Sequence, residues 1–213
     1  MSGAAVEDGQ CQLLLIETGS GYVLIYTGSP NQRARLAREL EKVGCGPGDL
    51  RLILLTHGDF NHTDSAAYLR ERFGAQLAIH PADSMMIERG DMFLNRGKVN
   101  LLIRKLTPAL FGFGKAERCQ PDIHLADAND LSGYGFAARV LHLPGHSKGS
   151  IGVLAADGSL FCGDLLENME KPVLNSLMDD RAAGEASLQR LRRLAVATVY
   201  PGHGGPFTLD QVG

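Results

Sequence analysis

The chain has 213 residues, of which 44% are hydrophobic and 21% are charged, and this composition is typical of a globular protein. It excludes a disordered chain and a coiled coil, and the length fits a single domain spanning residues 1–213. The formal charge is −3, from 21 Lys and Arg against 24 Asp and Glu, which argues against nucleic acid as a partner.

The termini and the cysteines predict a cytoplasmic protein with no membrane partner. Residues 1–10 lack the basic region and the apolar run of a secretory signal. The longest apolar runs have the length of a strand, far below the roughly 18 residues of a membrane helix. The four cysteines lie far apart and form no CxxC pair, so we expect reduced thiols rather than disulfides.

The first part of the chain alternates strands and helices. Two short apolar runs, Gln12–Glu17 and Tyr22–Tyr26, flank a Thr-Gly-Ser-Gly turn and predict a β-hairpin. A helix is predicted from Pro30 to about Val43, because its apolar residues share one face and Gly44 follows. The next predicted elements are a strand at Arg51–Leu55, a helix at Ser65–Phe73, a strand at Gln76–Ile79 and a helix after Pro81.

Residues 90–120 interleave apolar and basic side chains, which predicts an amphipathic helical insertion in the domain. Ordinary packing is the simpler interpretation of this insertion, and a position over a binding site or across a homodimer contact is the alternative. The elements predicted after it are strands at Ile123–Leu125, Phe136–Leu143, Ser150–Ala155 and Leu160–Cys162, a helix at Glu185–Leu194 and a strand at Thr198–Tyr200. Two sheets packed face to face, with helices outside, accommodate this order.

The densest group of polar side chains lies at the end of the strand predicted at residues 51–55. In the segment 56–64, His57, Asp59 and Asn61 alternate, and His62 follows directly. A loop that leaves a buried strand can turn such groups toward one point. Imidazole nitrogens and carboxylate oxygens are the ligands that zinc, iron and manganese use in proteins.

Three further strand ends carry a glycine directly before a candidate ligand. They are Gly145-His146, Gly163-Asp164 and Gly202-His203. Glycine permits the tight turn and close backbone approach that a ligand on a short loop requires. A single histidine after a strand is usually structural, but several such strand ends in one chain indicate a shared metal site. The other histidines, His80, His124 and His142, lack this context and are expected to be structural.

The ordered series of candidate ligands resembles the metal motifs of the metallo-β-lactamase superfamily. The series is His57-x-Asp59-x-Asn61-His62, then His146, Asp164 and His203. The first motif of that family is His-x-His-x-Asp-His, and a His, an Asp and a His follow at separate strand ends. The resemblance covers residues 12–207 and implies an α/β fold, the four-layer αββα sandwich, with a binuclear metal site at one edge of the two sheets.

Carried over by position, the resemblance divides the ligands between two metal sites. His57, Asp59 and His146 would form the first site. His62 and His203 would form the second, and Asp164 would bridge the two. One or two divalent transition metal ions are therefore the expected cofactor, with zinc as the first choice.

Four positions depart from the family pattern. Asp59 replaces the second His of the first motif, Asn61 replaces its Asp, Tyr26 stands where family members commonly have Asp, and Asp64 stands where they usually have Gly. Because an amide is a weaker ligand than a carboxylate, the first site is expected to hold its metal better than the second. A carboxylate in the second motif position also resembles the flavodiiron members, which use Glu there and bind iron, so iron and manganese remain open beside zinc.

The resemblance implies a metal-dependent hydrolase acting on a small-molecule substrate. A bound cation lowers the pKa of water to about 7, and the resulting metal-bound hydroxide would cleave an ester, lactone, thioester or phosphoester bond. Asn61 is the candidate catalytic residue, since its amide would orient the attacking water, although an amide cannot act as a base. Two alternatives stay open: an iron-dependent redox enzyme on the same fold, and a non-catalytic metal-binding protein whose site has decayed at Asn61 and Tyr26.

Overall fold

The computed structural model describes residues 3–7, 12–28, 30–94, 96 and 118–213. The insertion predicted at 90–120 therefore lies largely outside the described residues. Within the described ranges, no helix has both the length and the apolar character needed to cross a membrane.

The first sheet has six strands in sequential order. They are β1 (Gly3–Glu7), β2 (Gln12–Thr18), β3 (Gly21–Ile25), β4 (Leu50–Leu54), β5 (Gln76–Ile79) and β6 (Ile123–His124). The strands β1 to β3 pair antiparallel, whereas β3 to β6 pair parallel. The predicted hairpin is confirmed as β2–β3, and β1 was not predicted because its short run of small residues carries no alternating pattern.

The second sheet has four strands in the order β12-β9-β8-β7. Their bounds are β7 (Ala138–His142), β8 (Ile151–Ala155), β9 (Ser159–Gly163) and β12 (Thr198–Pro201). The strands β7, β8 and β9 pair antiparallel, and β12 pairs parallel with β9. Along the chain, a separate two-stranded antiparallel hairpin lies between β9 and β12. It consists of β10 (Leu166–Glu167) and β11 (Val173–Leu174), which are too short to show an alternating pattern in the sequence.

Five α-helices are described, and most agree with the predicted positions within a few residues. They are α1 (Arg33–Lys42), α2 (Phe60–Thr63), α3 (Ala66–Phe73), α4 (Pro81–Arg89) and α5 (Arg181–Leu191). The short helix α2 was not predicted. The helix α5 begins four residues earlier than expected, because the Asp180 side chain accepts a hydrogen bond from the Ala183 amide at 3.0 Å and caps the first turn.

The side chains of the second sheet alternate between two hydrophobic cores. Ile151 and Val153 on β8 join the core shared with the first sheet, to which α1 and α3 also contribute buried side chains. Leu154, which points to the other face, packs in a separate core with Leu188 and Leu191 of α5. Helices thus cover both outer faces of two packed sheets, and the expected αββα sandwich is confirmed.

Candidate metal centre

All six predicted metal ligands follow the ends of strands, and their side chains form one contiguous cluster. His57, Asp59 and His62 follow β4, His146 follows β7, Asp164 follows β9 and His203 follows β12. Five of these residues are buried and His203 is half-buried. The sequence prediction that these distant loops converge therefore agrees with the geometry.

His57, Asp59 and His146 form the first ligand group. Their potential ligand atoms all lie within 4.8 Å of one another. The Asp59 Oδ2 atom is 3.1 Å from the His146 Nε2 atom and 3.9 Å from the His57 Nε2 atom. This group has the same members as the first metal site implied by the resemblance.

His57, His62 and Asp164 form the second ligand group, whose potential ligand atoms also lie within 4.8 Å of one another. The Asp164 carboxylate is 3.3 Å from the Nε2 atoms of both His62 and His203. It is also 3.7 Å from the His57 Nε2 atom and 4.0 Å from the His146 Nε2 atom. Asp164 therefore belongs to the second group and also faces the first, as a bridging ligand must. His203, expected as a member of the second site, contacts Asp164 but belongs to neither group, and His57 takes its place.

Hydrogen bonds at the outer ring nitrogens orient two of these histidines. The His146 Nδ1 atom lies 2.7 Å from the Leu177 carbonyl oxygen, which can only accept, so Nδ1 donates and Nε2 is directed to the centre. The His57 Nδ1 atom contacts the Thr56 hydroxyl at 2.9 Å. The buried His57 Nε2 atom has no hydrogen-bond partner among the described residues, and a metal ion would satisfy it.

Contacts within the centre favour the ionised form of its two carboxylates. Burial alone would raise the pKa of Asp164, but its contacts with His62, His57 and His203 outweigh burial and hold that pKa well below the ordinary value. Burial also opposes ionisation of Asp59, and the hydrogen bond with His146 outweighs it and lowers the Asp59 pKa. Burial and the neighbouring His62 lower the pKa of His57 well below its ordinary value. Burial would also lower the pKa of His146, but the hydrogen bond with Asp59 raises it to about 9, so a cation at the first group would have to displace a proton from this ring.

Asn61 and Tyr26 lie beside the centre but belong to neither ligand group. The Asn61 Nδ2 atom is 3.2 Å from the His203 Nε2 atom. Tyr26 is buried with a left-handed φ of 69°, and its ring centroid lies 4.7 Å from that of His62. The next residue, Thr27, donates its backbone amide and its hydroxyl to the His62 carbonyl oxygen. An aromatic ring thus supports this ligand where the resemblance leads one to expect a carboxylate.

Asp83 on α4 is a buried residue that the sequence prediction missed. Its Oδ2 atom accepts hydrogen bonds from the Ser147 hydroxyl at 2.6 Å and from the Gly58 amide at 3.2 Å, and its Oδ1 atom accepts from the Gly149 amide at 2.9 Å. Asp83 therefore ties the loop after β4 to the loop after β7. In the sequence it resembles any acidic residue in the first turn of a helix, so no local signal identifies it.

Arg96 was also missed as a residue of the centre. Its guanidinium forms an ion pair with Asp59 and lies 3.6 Å from the Asp179 carboxylate. In the sequence it is one of several basic residues in the insertion, and nothing in the pattern names its partner. The structure brings it to the first ligand group.

Replacing Gly202 with alanine should weaken metal binding. A Cβ atom at this position would lie 2.0 Å from the Asp164 Oδ1 atom and 3.1 Å from the His62 Cε1 atom, so the carboxylate would have to move. We expect the zinc affinity, measured by titrating chelator-treated protein, to fall about 10- to 100-fold. Gly205→Ala is the matched control, because a Cβ there meets nothing within 4 Å. An unchanged affinity in Gly202→Ala would contradict a ligand role for Asp164.

Comparison with known proteins gives a family match over most of the chain. The family model described as Metallo-beta-lactamase superfamily matches residues 6–203. The human protein named metallo-beta-lactamase domain-containing protein 1 is 28% identical over 206 residues, which cover 93% of this chain and 64% of that protein. The chain thus spans less than two thirds of this relative. The probable metallo-hydrolase YqjP of Bacillus subtilis is 26% identical over 227 residues, covering 93% of this chain and 69% of that protein.

Solved structures give the same result at the level of the fold. The structure of TTHA1623 in a di-iron-bound form matches with a TM-score of 0.76 and 29% identity, covering 99% of this chain and 96% of that one. The B3 metallo-beta-lactamase BLEG-1 matches with a TM-score of 0.75, covering 99% of this chain and 94% of that one. Its identity is 21%, so this second match indicates a shared fold alone.

Proposed function

Because the chain belongs to the metallo-beta-lactamase superfamily, we propose that it is a metal-dependent hydrolase that cleaves an ester, lactone, thioester or phosphoester bond in a small molecule. The observation that carries this proposal is the pair of ligand groups, which share His57 and meet at Asp164. Two relatives named as probable metallo-hydrolases, one from Mycobacterium tuberculosis and one from Bacillus subtilis, support the reaction class.

The ligand side chains can hold one or two cations. Their donor set of histidine nitrogens and aspartate oxygens fits zinc, iron or manganese. A cation held by these side chains would supply a nucleophilic water at neutral pH and would polarise the bond to be cleaved. The Asp164 carboxylate, whose pKa is held well below the ordinary value, would supply negative charge that retains it, whereas Asp59 is already paired with Arg96.

Asn61 is the residue that we propose to position the attacking water. Its amide lies at the rim of the centre, half-buried and within 3.2 Å of the His203 ring. An amide donates and accepts hydrogen bonds without titrating, so it can orient a water molecule but cannot remove its proton. Any proton acceptor must therefore come from another group of the centre or from solvent.

A reconstitution assay tests this function. The chelator-treated protein should be inactive on a panel of a nitrophenyl ester, a lactone, a thioester and a phosphoester. Supplying zinc, iron or manganese should restore hydrolysis of at least one compound. A protein that binds these ions and stays inert on the whole panel would overturn the hydrolase proposal, and it would favour the alternative of a non-catalytic metal-binding protein.

An iron-dependent redox reaction is the second candidate function. It is favoured by the carboxylate of Asp59 in the first ligand group, since oxygen ligands suit iron, and by the di-iron-bound form of TTHA1623. Oxygen uptake by the iron-loaded protein with a thiol or persulfide substrate would support this function. The absence of uptake, together with hydrolysis in the panel assay, would exclude it.

A further inference from the structure

We infer that the guanidinium of Arg96 competes with a metal ion for the first ligand group. The first ligand group should therefore bind its metal ion more weakly than the second. This inference rests on the metal centre of the proposed function but not on the reaction catalysed there. It reverses the order of affinities expected from the ligand types alone, in which the first site holds its metal better.

The contacts of Arg96 are those that a cation at the first ligand group would make. Its Nη2 atom donates a hydrogen bond to the Asp59 Oδ1 atom and lies 3.5 Å from the His146 Nε2 atom. The same nitrogen thus faces two of the three members of the group. The Arg96 side chain is only 10% exposed, so this ion pair is poorly screened by solvent.

The charges of the two groups differ because of this contact. Asp59 is the only carboxylate of the first group, and the permanent positive charge of Arg96 neutralises it. Asp164 is the carboxylate of the second group, and its charged contacts within the described residues are all to histidines. A cation at the first group therefore has to compete with the fixed charge of an arginine, whereas no arginine or lysine pairs with the Asp164 carboxylate among the described residues.

Arg96 is held in place from two sides. Besides Asp59, its guanidinium lies near Asp179, with the Nη1 atom 3.6 Å from the Asp179 Oδ1 atom. The two carboxylates thus hold the guanidinium against the first ligand group.

Metal titration of the Arg96→Gln variant tests this inference. Chelator-treated protein would be titrated with zinc by calorimetry and with cobalt(II) by absorption spectroscopy, which reports how many ions are bound and their geometry. The weaker of the two ions should bind about 10- to 100-fold more tightly in Arg96→Gln than in the parent protein, while the tighter ion changes little. Arg96→Lys retains the positive charge and should stay near the parent.

The controls separate this effect from general damage to the protein. Arg70→Gln removes an arginine that pairs with Asp122 outside the centre, and it should leave both affinities unchanged. Arg96→Met is a second neutral variant, to be used if Arg96→Gln folds poorly. If the weaker-binding ion bound no more tightly in the neutral variants than in the parent protein, the inference would be overturned. Arg96 would then support Asp59 as a ligand instead of competing with the metal ion for it. Neither result depends on hydrolysis, so the proposed function stands or fails separately.

Discussion

Replacing Asp164 with asparagine should leave the protein unable to retain its metal ions. The substitution keeps the size of the side chain but removes the negative charge, which lies 3.3 to 4.0 Å from the Nε2 atoms of four histidines. Because this carboxylate faces both ligand groups, we expect the affinity for each ion to fall by more than the roughly 100-fold seen when outer contacts are lost. Elemental analysis after dialysis and zinc titration would measure the loss.

Asp130→Asn is the matched control for this prediction. Asp130 is exposed, and its carboxylate accepts hydrogen bonds from Ser132 outside the centre. This variant should retain metal as the parent protein does. Retention of two ions by Asp164→Asn would contradict the bridging role, even if enzymatic activity were lost.

Replacing Asp83 with alanine should both destabilise the fold and weaken metal binding. The change leaves the buried Gly58 and Gly149 amides without their acceptor, and each unsatisfied buried donor costs about 1–3 kcal/mol. We therefore expect the free energy of unfolding, measured by urea denaturation with chelator present, to fall by about 2–4 kcal/mol. Zinc affinity should fall about 10- to 100-fold, since the loops carrying His57 and His146 lose their common tether.

Asp157→Ala is the control for the stability measurement. Asp157 is exposed and accepts a hydrogen bond from the Ser159 amide at 2.9 Å in a surface turn. Its replacement should change the free energy of unfolding by about 0.5 kcal/mol or less. If Asp83→Ala matched this control in stability and the parent protein in zinc affinity, the role of Asp83 as a tether would be wrong.

The ligand positions could be predicted because their signal is local. Each candidate follows a strand whose apolar run is visible in the sequence, and a glycine precedes His146, Asp164 and His203. Pairing within each sheet and face-to-face packing of the two sheets then bring these strand ends together. The layered fold was predictable for a related reason, since side chains alternate between two cores along strands such as β8.

The residues that support the ligands could not be predicted, because their partners lie far away in the chain. Asp83 binds amides 25 and 66 positions from it, and Arg96 pairs with a carboxylate 37 positions away. Neither carries a motif of its own. The backbone conformation of Tyr26 could not be predicted either. A left-handed backbone is rare for a residue with a large side chain, and only tertiary packing stabilises it.

The ligands of the centre are divided between the two sheets. His57 and His62 follow a strand of the first sheet, whereas His146 and Asp164 follow strands of the second. A cation coordinated by both sets would cross-link the halves of the sandwich. Since the complete ligand set exists only when the two sheets are packed together, the binding free energy of the cation stabilises the packed sandwich rather than either sheet alone. The halves then cannot separate without releasing the ion.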